Sequence, residues 1–120
     1  MDELNKGENY TVRDIGLAEN GSLLVDWARA RMPVLAKLKE EAERTKPLAG
    51  MRVAGCLHVT KETAVLIEAI GAAGAEISWS GCNPLSTQDE VAAWLAREGY
   101  SVHAWHGQST EDFYLSLIHI

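Results

Sequence analysis

Three polar side chains at alternate positions, His58, Thr60 and Glu62, stand where one apolar run gives way to another. Residues 51–57 are mostly small or apolar, as expected of a strand covered on both faces, and residues 63–73 suit a helix packed on a sheet. An imidazole here can exchange a proton near neutral pH, and a hydroxyl and a carboxylate can hydrogen-bond a polar ring. We therefore predict a ligand site at this turn, because open α/β sheets bind ligands at the carboxyl ends of their strands.

Each of these side chains also has a structural interpretation. Thr60 can cap the helix, Glu62 can interact favourably with the helix dipole, and His58 can simply be packed. The loop that follows the next predicted strand brings four more polar residues to the same edge: Asn83, Ser86, Thr87 and Gln88. Turn formation and helix capping explain all but the last of these equally well.

The hydrophobic pattern predicts a helical lead-in followed by alternating strands and helices. Residues 1–50 are expected to hold a loosely docked terminus and then helical segments, with a kink or restart forced by Pro33. Residues 51–120 are expected to form a βαβαβ unit with strands at residues 52–57, 76–80 and 100–105. Alternation implies parallel pairing, and right-handed crossovers place the carboxyl ends of the strands on one rim. The predicted fold is a Rossmann-like three-layer α/β fragment, with three parallel strands and helices on both faces.

Composition and charge exclude several classes of partner. The chain has 120 residues, 47% of them hydrophobic, which suffices for one domain with a core. Its net charge of −6 and scattered basic residues argue against nucleic acid. No apolar run reaches the ~18 residues that cross a bilayer, and the polar, partly acidic start is unlike a signal peptide. We therefore predict a cytoplasmic protein with no membrane partner, whose Cys56 and Cys82 are free thiols.

Two further kinds of site are not expected in this chain. Side chains that contain the atoms of a zinc site lack the spacing that orders such ligands: Cys56, His58, Cys82, His103 and His106. No glycine-rich fingerprint follows a predicted strand, so residues that bind a dinucleotide are not expected either.

Two long motifs resemble the S-adenosylhomocysteine hydrolase family, in the form of its archaeal and thermophilic bacterial members. The first runs through residues 53–60 and 62–68, and the second through residues 82–89. Shorter matches flank them at residues 14–18, 32–33, 46–48, 74–76 and 104–105. The resemblance implies the N-terminal part of the family's substrate-binding domain.

The resemblance also implies an activity and roles for particular residues. The family's cytosolic enzymes reversibly hydrolyse S-adenosyl-L-homocysteine to adenosine and L-homocysteine in the methyl cycle, using a tightly held NAD that transiently oxidises the ribose 3′-hydroxyl. By motif, His58 corresponds to a histidine near the ribose 5′ position, Thr60 to a threonine at the adenine ring, and Glu62 to a glutamate near its amino group. The family forms tetramers, which implies a homo-oligomer. The predicted substrate-binding set is completed by Asn83, Thr87 and Gln88.

The chain also departs from the family. Family chains are much longer, and the remaining ribose-contacting residues and the NAD-binding domain would follow Ile120. Residues 116–120 fit the family poorly, so we predict a truncated reading of a longer protein with a foreign or frame-shifted tail. Without the missing parts, the chain is expected to have no hydrolase activity. The alternative is a non-catalytic module that binds a nucleoside or another protein, and the preferred purine base is left open.

Overall fold

Five strands form one sheet in the computed structural model, which describes residues 4–120. In chain order they are β1 (Asn5–Lys6), β2 (Tyr10–Val12), β3 (Arg52–Cys56), β4 (Glu76–Ser80) and β5 (Ser101–His103). Across the sheet the order is β1-β2-β5-β4-β3, with β1 antiparallel to β2 and every other neighbouring pair parallel. The predicted α/β class and the parallel pairing of β3, β4 and β5 are confirmed.

The predicted count of three strands was too low, because β1 and the first residue of β2 lie in residues 1–10, the segment expected to be loosely docked. Tyr10 and Thr11 of β2 pair with Val102 and His103 of β5, and Val12 is fully buried. Strands of two and three residues show no readable alternation, and their partner lies far along the chain. Residues 1–3 of the predicted loose terminus lie outside the part of the chain that the structure describes.

Five α-helices are described between residues 4 and 120: α1 (Ala18–Arg29), α2 (Pro33–Thr45), α3 (Lys61–Ala72), α4 (Asp89–Arg97) and α5 (Thr110–His119). Pro33 is the first residue of α2, where its missing N–H leaves no helix bond unmade, so the predicted restart is confirmed. A single turn of 3₁₀-helix, Ile15–Leu17, precedes α1, and the Asp14 side chain caps it.

The sheet has helices on both faces, as predicted. Successive residues of a strand face opposite sides of the sheet, so the side chains of Val102 and its neighbour His103 lie on opposite faces. Val102 is fully buried in a core shared with α3 and α4, whereas the His103 ring stacks on His119 of α5. Burial lowers the pKa of His103, and the neighbouring His119 lowers it further. The α5 side is only partly covered, because Ala54 and Cys56 of β3 remain exposed.

The carboxylate of Glu68 joins the three helices α1, α2 and α3. Glu68 of α3, only 14% exposed, accepts hydrogen bonds from Arg29 Nη2 of α1 at 2.9 and 3.0 Å. Lys39 Nζ of α2 lies 3.8 Å from the same carboxylate. Burial acts to lower the pKa of Arg29, but its bonds to Glu68 and Asp26 outweigh this and raise it. The ion pair therefore holds α1 and α2 against α3, the helix that follows the predicted site.

We expect Glu68→Gln to lower the free energy of unfolding by about 2 kcal/mol. The amide keeps the volume but leaves the partly buried Arg29 guanidinium with only the exposed Asp26 as a carboxylate partner. A half-buried ion loses less than a fully buried one, because water still reaches it. Urea unfolding followed by circular dichroism measures the change. The matched control is Glu43→Gln, since Glu43 lies 4.0 Å from Lys39 and is largely exposed. An equal effect of both variants would show that Glu68 is no more than a surface charge.

Candidate functional site

The three segments that follow β3, β4 and β5, residues 57–62, 81–88 and 105–109, meet at the carboxyl ends of these strands. The backbone N–H of Leu57 donates to Ser80 O at 3.2 Å, and that of Gln88 donates to Val59 O at 2.9 Å. The third segment joins through Gly107, whose N–H donates to Pro84 O at 2.8 Å. Residues 57–62 and 81–88, which we call the carboxyl rim, are therefore held together by backbone bonds.

His58 lies on the surface of the carboxyl rim rather than packed in the core. Its side chain is exposed, and its Nδ1 lies 3.3 Å from Cys82 Sγ and 3.5 Å from Asn83 Nδ2. An Nδ1 that accepts a hydrogen from either group leaves the proton of the neutral ring on Nε2. The ring is then able to donate a proton from Nε2 to a ligand.

Thr60 is the N-cap of α3, so its capping interpretation is confirmed. Its Oγ1 accepts a hydrogen bond from the Thr63 N–H at 3.5 Å and lies 3.4 Å from Thr63 Oγ1. The residue has extended backbone angles and is half-buried, as is usual where a chain turns into a helix. The hydroxyl can accept a second hydrogen bond, so the cap leaves a position for a ligand.

Glu62 presents an ionised carboxylate in the first turn of α3. Partial burial acts to raise the pKa of Glu62, but its own backbone N–H, the Lys61 ammonium and the Thr60 hydroxyl outweigh burial and lower it. Lys61 Nζ lies 3.2 Å from Glu62 Oε1. An ionised carboxylate can only accept hydrogen bonds, so it is suited to a ligand that presents an N–H or O–H donor.

The loop residues of the carboxyl rim divide into positioning groups and one buried side chain. Asn83 Oδ1 accepts from the Leu85 N–H at 2.9 Å, which confirms a turn-forming role, while its amide approaches His58. Gln88 Oε1 accepts from the Lys61 N–H at 2.9 Å and so fixes the start of α3. Thr87, predicted to bind substrate, is only 4% exposed, and its hydroxyl has no hydrogen-bond partner within residues 4–120.

Two neighbours of the site were not predicted to bind substrate. Cys82 lies beside His58, and both it and Cys56 are free thiols, as predicted. Trp27 of α1 approaches Lys61, with 5.3 Å between the ammonium and the ring centroid. No local sequence pattern indicates that α1, and with it Trp27, lies beside the β3–α3 turn.

The described residues present neither a metal cluster nor a membrane span. Between residues 4 and 120, no three side chains of His, Cys, Asp or Glu come together as a metal site. No helix in the same part of the chain combines the length and the apolar character needed to cross a membrane. The side chains of the carboxyl rim supply an imidazole, a thiol, hydroxyls, amides, the Lys61 ammonium and a carboxylate.

Comparison with known proteins identifies a family. The family model described as S-adenosyl-L-homocysteine hydrolase matches residues 9–120. An adenosylhomocysteinase of Sulfolobus acidocaldarius is 50% identical over 106 residues, 88% of this chain and 26% of that protein. An adenosylhomocysteinase of Aeropyrum pernix is 50% identical over 110 residues, 92% of this chain and 26% of that protein.

A relative whose name gives a different substrate matches a similar share of this chain. An S-inosyl-L-homocysteine hydrolase of Methanopyrus kandleri is 46% identical over 114 residues, 95% of this chain and 27% of that protein. The chain spans about a quarter of the length of the curated relatives it matches.

Proposed function

Because the chain belongs to the S-adenosyl-L-homocysteine hydrolase family, we propose that it is the nucleoside-binding portion of an enzyme that hydrolyses S-adenosyl-L-homocysteine to adenosine and L-homocysteine. The observation that carries this proposal is the arrangement of His58, Thr60 and Glu62 at the end of β3, with an exposed imidazole, a capping hydroxyl and an ionised carboxylate within five residues. The family resemblance of the sequence motifs is confirmed by the match. That residues 116–120 are foreign to the protein stays a prediction.

The proposed roles combine what the family resemblance implies with the hydrogen-bonding capacity of each group. The Glu62 carboxylate accepts from the exocyclic amino group of adenine, and the Thr60 hydroxyl bonds the adjacent ring edge. His58 faces the ribose 5′ position, where an Nε2 proton assists departure of the sulfur. The Asn83 amide orients the imidazole, and Gln88 holds the turn. The side chain of Thr87 is buried, so its hydroxyl would contribute from within the carboxyl rim.

The residues of this chain do not fit NAD. The β3–α3 turn is the place where a dinucleotide-binding domain carries a glycine-rich phosphate loop, and here it carries His58, Val59 and Thr60 with no glycine. We place the oxidising cofactor in the three-quarters of the family's length that this chain does not span. The 120-residue chain is accordingly expected to show no hydrolase activity alone.

The choice of base and the assembly belong to the same proposal. The relative from Methanopyrus kandleri is named for an inosyl substrate, so a 6-oxo purine is the alternative to adenine. A cytoplasmic homo-oligomer follows the family pattern. Large exposed apolar side chains on α1 and α2 support association with another surface: Leu23, Trp27, Val34 and Leu38.

A protein-interaction module is the second candidate function. Strand β3 lies at one edge of the sheet, and its Ala54 and Cys56 are exposed on the face that α5 only partly covers. Within residues 4–120 no strand pairs with the outer edge of β3. Such an edge beside a partly covered face is able to accept a further strand. This candidate predicts association without any nucleoside.

Calorimetric titration of the folded chain with adenosine tests the proposed function. We expect saturable binding that Thr60→Ala weakens about tenfold, as for the loss of one hydrogen bond to the ligand, and that His58→Ala weakens less. The matched control is Asp14→Ala, which removes another cap far from the carboxyl rim and should leave the affinity unchanged. No saturable heat, from a sample that unfolds cooperatively, would overturn the proposal that this chain itself holds a nucleoside.

A further inference from the structure

The ammonium of Lys61 is held between an aromatic ring and the carboxylate of the proposed base site. Its Nζ lies 5.3 Å from the centroid of the Trp27 ring and 3.2 Å from Glu62 Oε1. Its backbone N–H donates to Gln88 Oε1 at 2.9 Å, and its side chain is only 24% exposed. A lysine on a surface helix is ordinarily free to move, so the two contacts of this ammonium, together with the backbone bond, mark the residue as positioned.

We propose that Lys61 is a positioning residue that fixes the Glu62 carboxylate and thereby makes the nucleoside site prefer 6-amino over 6-oxo purines. This inference rests on the proposed function, because it assigns the selectivity of the same site. The Lys61 side chain is not itself proposed to touch the ligand.

The chemical reason lies in what each base presents at its 6-position. A 6-amino group donates a hydrogen bond to an ionised carboxylate. A 6-oxo group is itself an acceptor, so its oxygen would face the carboxylate oxygen with no hydrogen between them. Two acceptors facing each other leave both without a hydrogen, which is the kind of mismatch that discriminates between ligands. A protonated Glu62 would instead donate to the 6-oxo group. Holding the ionised carboxylate in place therefore favours adenine over hypoxanthine.

Lys61 is the charged group that acts on this carboxylate. Burial of Glu62 favours its protonated form, and the groups that oppose burial are its own N–H, the Lys61 ammonium and the Thr60 hydroxyl. The Trp27 ring holds the ammonium by cation–π attraction. The Arg31 guanidinium also lies over this ring, at 4.0 Å from the centroid. Arg31 does not act on Glu62, so it provides a matched cation for comparison.

Titrations with adenosine and with inosine test the selectivity. We expect Lys61→Met to reduce the ratio of the adenosine affinity to the inosine affinity about fivefold, as for the weakening of one charged hydrogen bond. Arg31→Met removes the other cation from the same ring and should leave the ratio unchanged. Trp27→Leu keeps apolar bulk but frees the ammonium, and should reduce the ratio by less than Lys61→Met does.

A second measurement separates this inference from the proposed function. Carbon-detected NMR titration of Glu62 in the ligand-free chain should show its pKa rising in Lys61→Met and unchanged in Arg31→Met. An unchanged Glu62 titration, or an unchanged affinity ratio in a chain that binds adenosine, overturns the role of Lys61 and leaves the nucleoside site intact. Failure of the folded wild-type chain to bind either nucleoside overturns the proposed function, and the selectivity with it.

Discussion

Replacement of Gly21 by alanine is expected to lower the free energy of unfolding by about 3 kcal/mol, the upper range for overpacking a closely fitted core. In an isolated helix the same change would stabilise by about 1 kcal/mol, because alanine is the better helix former. Gly21 is buried where α1 crosses α4, and an added Cβ would overlap the carbonyl oxygen of Glu90 and lie 2.8 Å from Trp94 Cβ. Backbone atoms cannot rotate aside, so the helices must separate.

Urea unfolding followed by circular dichroism measures this effect. The control is Asn20→Ala, an exposed position in the same helical turn, which should change the free energy of unfolding by less than about 0.5 kcal/mol. If Gly21→Ala proved as stable as the control, α1 would not lie against α4 as described. The α1–α4 contact also sets the place of Trp27 beside the β3–α3 turn, so the prediction bears on the site.

Gly55→Ala is expected to destabilise the chain by about 3 kcal/mol and to disturb the carboxyl rim. Gly55 is buried in β3. The six-membered ring of Trp79 from β4 occupies the space that a Cβ at position 55 would need. The Trp79 indole N–H donates to Leu57 O at 3.3 Å. A methyl group at position 55 would displace the ring and break this bond, one residue before His58.

Two measurements distinguish a local from a general effect of Gly55→Ala. Urea unfolding gives the loss of stability, and hydrogen exchange at the Trp79 indole N–H, read by NMR, should accelerate as its bond to Leu57 is lost. Ala54→Ser is the matched control, because this neighbour is exposed on the opposite face of β3. Exchange as slow in Gly55→Ala as in the control would contradict the described packing of Trp79.

The central part of the fold was readable because its signals are local. The strand β3 is mostly small and apolar, and β4 alternates polar and apolar residues. Helix α3 is apolar with a threonine cap, and Pro33 marks the start of α2. The predicted strand at residues 76–80 agrees with β4, and the one at residues 52–57 ends one residue late. The start of α4 was less readable. In α4, Thr87 and Glu90 resemble a capping box, but Gln88 occupies the cap position and directs its side chain to Lys61.

The sequence by itself determined the alternation of strands and helices, the family, and the placing of His58, Thr60 and Glu62 at the end of one strand, because each follows from neighbouring residues and their spacing. Only the tertiary structure decided that β1 and β2 extend the sheet, that Cys82 lies beside His58, and that Trp27 and Lys61 meet. These contacts join residues distant in the chain, and hydrophobic periodicity records which side of an element is buried but not what it is buried against. The partners of a site are therefore set by packing, even where its central residues are set by the motif.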